Sequence, residues 1–216
     1  MLRQAPAEAT GRVAENGDSQ RPQRNPPVYV VTDVEVDGPV PGENSMLSFA
    51  SVAVGEDGHV LDEFEAVLDP LEDARPDPAT LAWIKSQPEV WAALKDDPQP
   101  ASRAITDYVE WVGALGGDPV FVAHPLAMDG PWIDHYLKRF AGIRLLKGPW
   151  EGTRLFYDGG LCLRSFAAGR LGRPLRLCSP EHYDPSWLGG HRHTHKAIDD
   201  ARGYAALLGH FLKDAE

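Results

Sequence analysis

Val28–Glu35, VYVVTDVE, decides the fold of this chain. It is β-branched and compact, which predicts a central strand, and it ends in two acids. Two further strands are expected over Leu47–Val54 and Val60–Leu68, separated by Gly55-Glu56-Asp57-Gly58, a hairpin signal. Two short helices, Pro78–Ser86 and Pro88–Lys95, each open on a proline. Ala101–Leu115 is a clearer helix, with Ile105, Tyr108, Val109, Val112 and Leu115 on one face. Val120–Ala123 reads as a short buried strand. Pro131 is expected to open a helix whose stripe is Trp132, Ile133, Tyr136, Leu137 and Phe140. Leu161–Leu171 reads as a helix with Cys162 buried in it, Gly172–Gly190 as a loop, and Lys196–Lys213 as the last helix. Three successive strands, then helices alternating with another strand, predict an α/β domain with mixed strand directions.

Upstream of Val28 the character changes. Residues 1–26 are rich in Pro, Arg, Gln, Ala and Glu without apolar periodicity, which predicts a disordered N-terminal tail before one folded domain, 27–216. The chain carries a formal −11. Because the tail holds four arginines against three acids, the domain itself carries −12. Such a charge argues against a protein that coats long duplexes through many phosphate contacts. It leaves room for an enzyme whose acids are neutralised by divalent metal. Cys162 and Cys178 are too few for a disulfide scaffold and form no CxxC pair. No apolar run reaches membrane-spanning length, and the opening MLRQAPAEAT has no apolar signal core, so a cytoplasmic location and no membrane partner are expected.

Three groups of residues carry chemistry. Asp33 and Glu35 point to the same side of the first strand, since side chains alternate. Two acids on one face of an apolar strand are costly to bury without a cation between them. Mg²⁺ or Mn²⁺ would suit their oxygens; solvated acids at a strand end are the plainer alternative. Asp129 stands between a buried strand and a helix, where an acid can equally serve as a cap. In His195-Lys196-Ala197-Ile198-Asp199-Asp200, Asp200 falls on the stripe of Ala201, Tyr204, Leu207, Leu208 and Phe211, while Asp199 is rotated by about 100° toward solvent. His195 would lean over whatever Asp200 helps to bind, and Gly189-Gly190 would let it move.

Asp-x-Glu on a first strand, Asp after a later strand and His-x4-Asp entering a final helix together resemble the DEDD exonucleases, the superfamily of DnaQ-type proofreading subunits, RNase T and oligoribonuclease. The resemblance spans Val28 to about Leu212. A tyrosine-bearing branch would place Tyr four residues before the last acid, where this chain has Lys196. His195, five residues before it, fits the DEDDh branch. The family motif usually written AHNxxFD reads here Ala123-His124-Pro125-Leu126-Ala127-Met128-Asp129, with Pro125 and Met128 as departures near the nucleotide pocket. DPATLAWIKSQPEVW is also loosely similar to the Thr-x-x-Trp segment of phage-type exonucleases and RNase AS.

The resemblance implies a ribonuclease H-like exonuclease fold, with a central mixed five-stranded sheet flanked by helices. It implies two Mg²⁺ (or Mn²⁺) held by Asp33, Glu35, Asp129 and Asp200, and His195 as the base that takes a proton from water. Metals about 3.5–4 Å apart would activate that water and stabilise the leaving 3′ oxygen, releasing 5′-mononucleotides. The expected partner is single-stranded or short nucleic acid, RNA or DNA, with a free 3′ end, gripped by stacking and a few local contacts. Val36, Asp37 and Met46 would sit near the terminal nucleotide. A homodimer is compatible with the family, and the rival function is a catalytically silent exonuclease-like module for protein binding. His191, His193 and His195 alternate in GGHRHTHK, and such a run can bind zinc. It does not continue as a metallo-β-lactamase motif, so zinc hydrolysis is set aside. The six tryptophans are read as packing groups.

Overall fold

A computed structural model describes residues 25–146, 148, 154–157 and 159–213. The expected tail therefore lies outside the described residues, apart from Asn25 and Pro26. The Pro26 carbonyl already accepts from Asp118 N–H at 3.0 Å.

The strands are β1 (Pro27–Val36), β2 (Met46–Gly55), β3 (Val60–Val67), β4 (Asp118–Ala123) and β5 (Leu161–Cys162). They form one sheet in the order β3-β2-β1-β4-β5. β1 is antiparallel to β2, β2 is antiparallel to β3, and β4 is parallel to both β1 and β5. Helices α1 (Pro78–Lys85), α2 (Pro88–Ala93), α3 (Ala101–Ala114), α4 (Leu126–Ala141), α5 (Leu163–Leu171) and α6 (Ala197–Lys213) complete the architecture.

The two faces of the sheet carry separate cores, as a buried sheet with alternating side chains requires. Val30 and Val34 of β1 pack with Phe49, Ile105, Tyr108, Trp132, Ile133 and Tyr136 on the α3–α4 side. Val31 of β1 packs with Val52, Val122, Ala201, Tyr204 and Leu208 on the α5–α6 side. α6 also approaches the β2–β3 hairpin closely. A Cβ on Gly209 would lie 2.7 Å from the Gly58 carbonyl, so glycine at 209 permits this seat for the helix that carries Asp200.

Two expectations need correction. The helix assigned to start at Pro131 starts at Leu126, and Pro131 lies inside it. The Pro125 carbonyl accepts from Met128 and Asp129 N–H at 2.9 and 3.4 Å, which starts the helix one turn early. Pro131 merely removes one later ladder bond. The segment read as helical from Leu161 first adds two residues to the sheet, Leu161 beside Val122 and Cys162 beside Ala123. Cys162 is thus a half-buried strand end preceding α5, not a buried helical residue.

Candidate active site

The acids gather where β1 and β4 end. In open α/β sheets this carboxyl end is where ligands bind, because the following loops and helix starts converge there. Asp33 and Glu35 are fixed by the β1–β2 ladder, opposite Ala50 and Ser48. Thr32, one residue before Asp33, pairs with Ala123 at the end of β4. Five residues beyond the His124 that follows β4, the first turn of α4 presents Asp129, and the first turn of α6 presents Asp200. Three segments far apart in sequence thus supply four carboxylates. One oxygen each from Asp33, Glu35 and Asp200 lie within 4.8 Å of one another. Asp33, Asp129 and Asp200 are buried and Glu35 is half-buried.

The electrostatics follow from that crowding. Burial, then the charges of Asp129, Glu35 and Asp200, push the Asp33 carboxyl far above the usual range. Glu35 is pushed up to about 9 by burial and then by Asp200 and Asp129. Asp129 is pushed up to about 8 by burial, against the opposing pull of nearby backbone N–H groups. Its Oδ2 is buried with no hydrogen-bond partner. Repelling acids and an orphaned buried oxygen leave a place for cationic charge, and an all-oxygen donor set suits a hard divalent ion. The residues fit such a group.

Asp200 is held by the loop in front of its own helix. Its Oδ1 accepts from Thr194 N–H at 2.9 Å, and Oδ2 accepts from His195 N–H at 3.1 Å. His193 Nδ1 also reaches Oδ2, at 2.7 Å. That contact, joined by hydrogen bonding, raises the His193 pKa. His195 adopts a left-handed φ of +59°, and its ring lies 4.3 Å from the His193 ring and 4.9 Å edge-on from Trp83 of α1. Burial and then the neighbouring His193 lower the His195 pKa. The placement therefore adds His193 and Trp83 to the residues singled out from sequence. The alternating histidine run is the visible signal for the first; the second has the sequence character of a packing group only.

The other sequence-predicted positions fare differently. Met46 is completely buried in the α3–α4 core, and its N–H donates to Tyr136 Oη at 2.8 Å, so its side chain does not face the cleft. Asp37 is buried too, and its Oδ1 accepts from Ser45 N–H at 2.6 Å. Val36 is half-buried at an irregularity in the β1–β2 register. His124 is a structural residue. Its Nε2 meets Tyr183 Oη at 2.8 Å, its ring stacks on Tyr204 at 4.5 Å, and burial lowers its pKa to about 4. Met128, one of the two departures from the family motif, is exposed.

This arrangement is the ribonuclease H-like exonuclease fold, and solved DEDDh 3′-exonucleases share it across most of the chain. The nuclease domain of 3′hExo, a DEDDh family member bound to rAMP, superposes with a TM-score of 0.62 at 11% identity, covering 87% of this chain and 92% of that one. A 3′-exonuclease solved in recognition of the histone mRNA stem-loop gives 0.63 at 10% identity, over 89% and 84%. E. coli exonuclease I in complex with a dT13 oligonucleotide gives 0.59 at 15% identity, over 84% of this chain but 40% of that longer one. No family model and no curated protein matches the chain by sequence.

Proposed function

We propose that the protein is a metal-dependent 3′–5′ exonuclease that hydrolyses single-stranded nucleic acid from a free 3′ end to 5′-mononucleotides. The convergence of Asp33, Glu35, Asp129 and Asp200 from β1, α4 and α6 carries this reading. These four acids would hold two divalent ions, Mg²⁺ or Mn²⁺. When bound, such ions lower the pKa of a coordinated water and offset charge on the leaving oxygen.

The remaining chemistry belongs to side chains of this chain. His195 stands beside Asp200 with its pKa depressed, so its imidazole is neutral at neutral pH and able to take the proton of the attacking water. The Thr194 and His195 N–H groups hold the Asp200 carboxylate in one orientation, so that the acid and the base are set by the same turn. Burial of Asp33 and Asp129 keeps bulk water from competing for those carboxylates.

The excess negative charge of the domain, even after two divalent ions, disfavours long duplexes and favours short or single-stranded ends. The solved structures above include one with an RNA stem-loop and one with a DNA oligonucleotide, so both sugars belong in the test. Matched RNA and DNA oligonucleotides of several lengths, labelled at the 3′ or 5′ end, are incubated with protein and magnesium. The expected result is early release of a labelled mononucleotide from the 3′ end, abolished by EDTA. No metal-dependent shortening of either polymer would overturn the reading in favour of a silent module.

A further inference from the structure

We infer that His193, His195 and Asp200 form a second metal site, selective for zinc, which overlaps the acid cluster through Asp200. The inference rests on the proposed hydrolytic site for its consequence, which is inhibition, but not for the binding itself.

The donor set comes first. One atom each from His193, His195 and Asp200 lie within 4.8 Å of one another, and His193 Nδ1 stands 2.7 Å from Asp200 Oδ2. Two imidazole nitrogens and one carboxylate oxygen form a borderline-soft set that favours zinc over magnesium, whereas Asp33, Glu35 and Asp200 offer only hard oxygens. Three protein ligands with a fourth position left to water is an ordinary arrangement for zinc. At zinc–nitrogen and zinc–oxygen distances of about 2.0–2.2 Å, ligands of a tetrahedral ion stand a little over 3 Å apart. The His193–Asp200 contact therefore needs to open by less than an ångström.

The surroundings permit that movement and fix the partner. The His193 side chain is 37% exposed, whereas that of Asp200 is 1% exposed, so the carboxylate stays and the imidazole adjusts. The loop before His193 contains Gly189 and Gly190, both with left-handed φ. Asp200 is tied down at Oδ1 by Thr194 N–H and at Oδ2, the oxygen that His193 reaches, by His195 N–H. Carboxylate hydrogen bonds of this kind orient a metal ligand and make it harder to displace.

The consequence is competition. Zinc on this trio takes Asp200 from the acid cluster and His195 from its role as proton acceptor. The protein would then be held inactive by zinc while magnesium is in large excess. Zinc would act through residues of this loop and not by replacing magnesium between Asp33 and Glu35.

The metal-free chain, residues 1–216, is titrated with zinc chloride against a chromophoric zinc chelator, without nucleic acid. One tight equivalent is expected, weakened more than about 10-fold by His193→Ala and by His195→Ala, since loss of a direct ligand should exceed the cost of losing an outer partner. Asp33→Asn should weaken zinc much less than either. Cobalt(II) gives a second measurement: the parent should show the intense visible absorption of a low-coordinate nitrogen-containing site, and His193→Ala should lose it. Far-UV circular dichroism checks that both variants are folded. Zinc affinity unchanged by His193→Ala, or reduced equally by Asp33→Asn, overturns the proposal. Zinc binding through His193 in a protein that cuts no oligonucleotide would overturn the hydrolytic reading and leave this site standing. Metal-dependent cutting with zinc affinity indifferent to His193 would do the reverse.

Discussion

β1 carries Asp33 and Glu35 on its ladder with β2, just past Thr32 where its pairing with β4 ends, whereas His193 and His195 ride on a loop that contains three left-handed residues, Gly189, Gly190 and His195. The first region is stiff because β1 is paired on both sides up to Thr32, its β2 ladder continues through Asp33 and Glu35, and its alternate residues lie in two cores. The second is anchored mainly through Asp200, to which two N–H groups and one imidazole turn. A non-glycine residue at positive φ costs energy that its surroundings must offset, and such residues cluster at functional sites. The contrast suits the division of labour. In the proposed reaction, the acids that concentrate charge sit on the stiff element, and His195, the proposed proton acceptor, sits on the adjustable one.

The sharpest way to break that division is to neutralise the stiff side. Asp33→Asn keeps the shape of the side chain and removes the charge at the most crowded point. Nuclease activity should fall beyond the range of a lost acid–base group, more than about 10⁴-fold, while the folded state survives. Retention of substantial magnesium-dependent cleavage would show that Asp33 is not part of the cage. On the adjustable side, His195→Ala should cost about 10²–10⁴-fold in kcat and leave magnesium affinity near the parental value. Calorimetric titration with magnesium separates the two variants: affinity falls for Asp33→Asn and holds for His195→Ala.

The charge contrast also sets a pH dependence. Asp33, Glu35 and Asp129 all have raised pKa values, with Glu35 at about 9 and Asp129 at about 8. In the unfolded chain the same acids ionise near pH 4. Between those limits the folded state holds protons that the unfolded state has released, so the contribution of these three acids to stability is greatest at low pH and falls as pH rises toward 9. Divalent metal should cancel this loss. At 100 times its dissociation constant, magnesium stabilises by about 2.7 kcal/mol, or about 5–10 °C for a domain of this size. The expected midpoint shift is larger at about pH 8.5 than at about pH 5.5. Equal shifts at both pH values would mean that the acids are not the ones that meet the metal.

Much of this contrast was legible in the sequence, and the reasons differ by region. The alternation in Val28–Glu35 placed Asp33 and Glu35 on one face, and the apolar stripe after Asp200 turned that acid inward, because both patterns are local and periodic. β5 was not legible. Leu161 and Cys162 become a strand only by pairing with β4, a tertiary event without a periodic trace. The start of α4 is hidden in the sequence because Pro131 imitates a helix opening, while the signal that operates is the Pro125 carbonyl. Family spacing puts Met46 near substrate, but its position at the start of β2 turns it into the core. His193 was visible as part of a run, yet its partner Asp200 could be assigned only once the loop was folded back.

The smallest expected effect tests the contact between a helix and the adjustable loop. Trp83 on α1 is exposed, and its ring meets the His195 ring edge-on at 4.9 Å. An edge-to-face aromatic pair contributes about 0.5–1.5 kcal/mol beyond its buried area. If that contact holds His195 over Asp200, Trp83→Ala should lower kcat by roughly 2–10-fold. KM for a short oligonucleotide should change less than kcat, since the ring would be orienting a base and not gripping a nucleotide. Trp83→Phe keeps an aromatic edge and should recover most of the loss. A rise in KM with kcat unchanged would instead make Trp83 a surface for stacking substrate bases. The rigid side would then extend to α1, and the loop would place His195 without help from it.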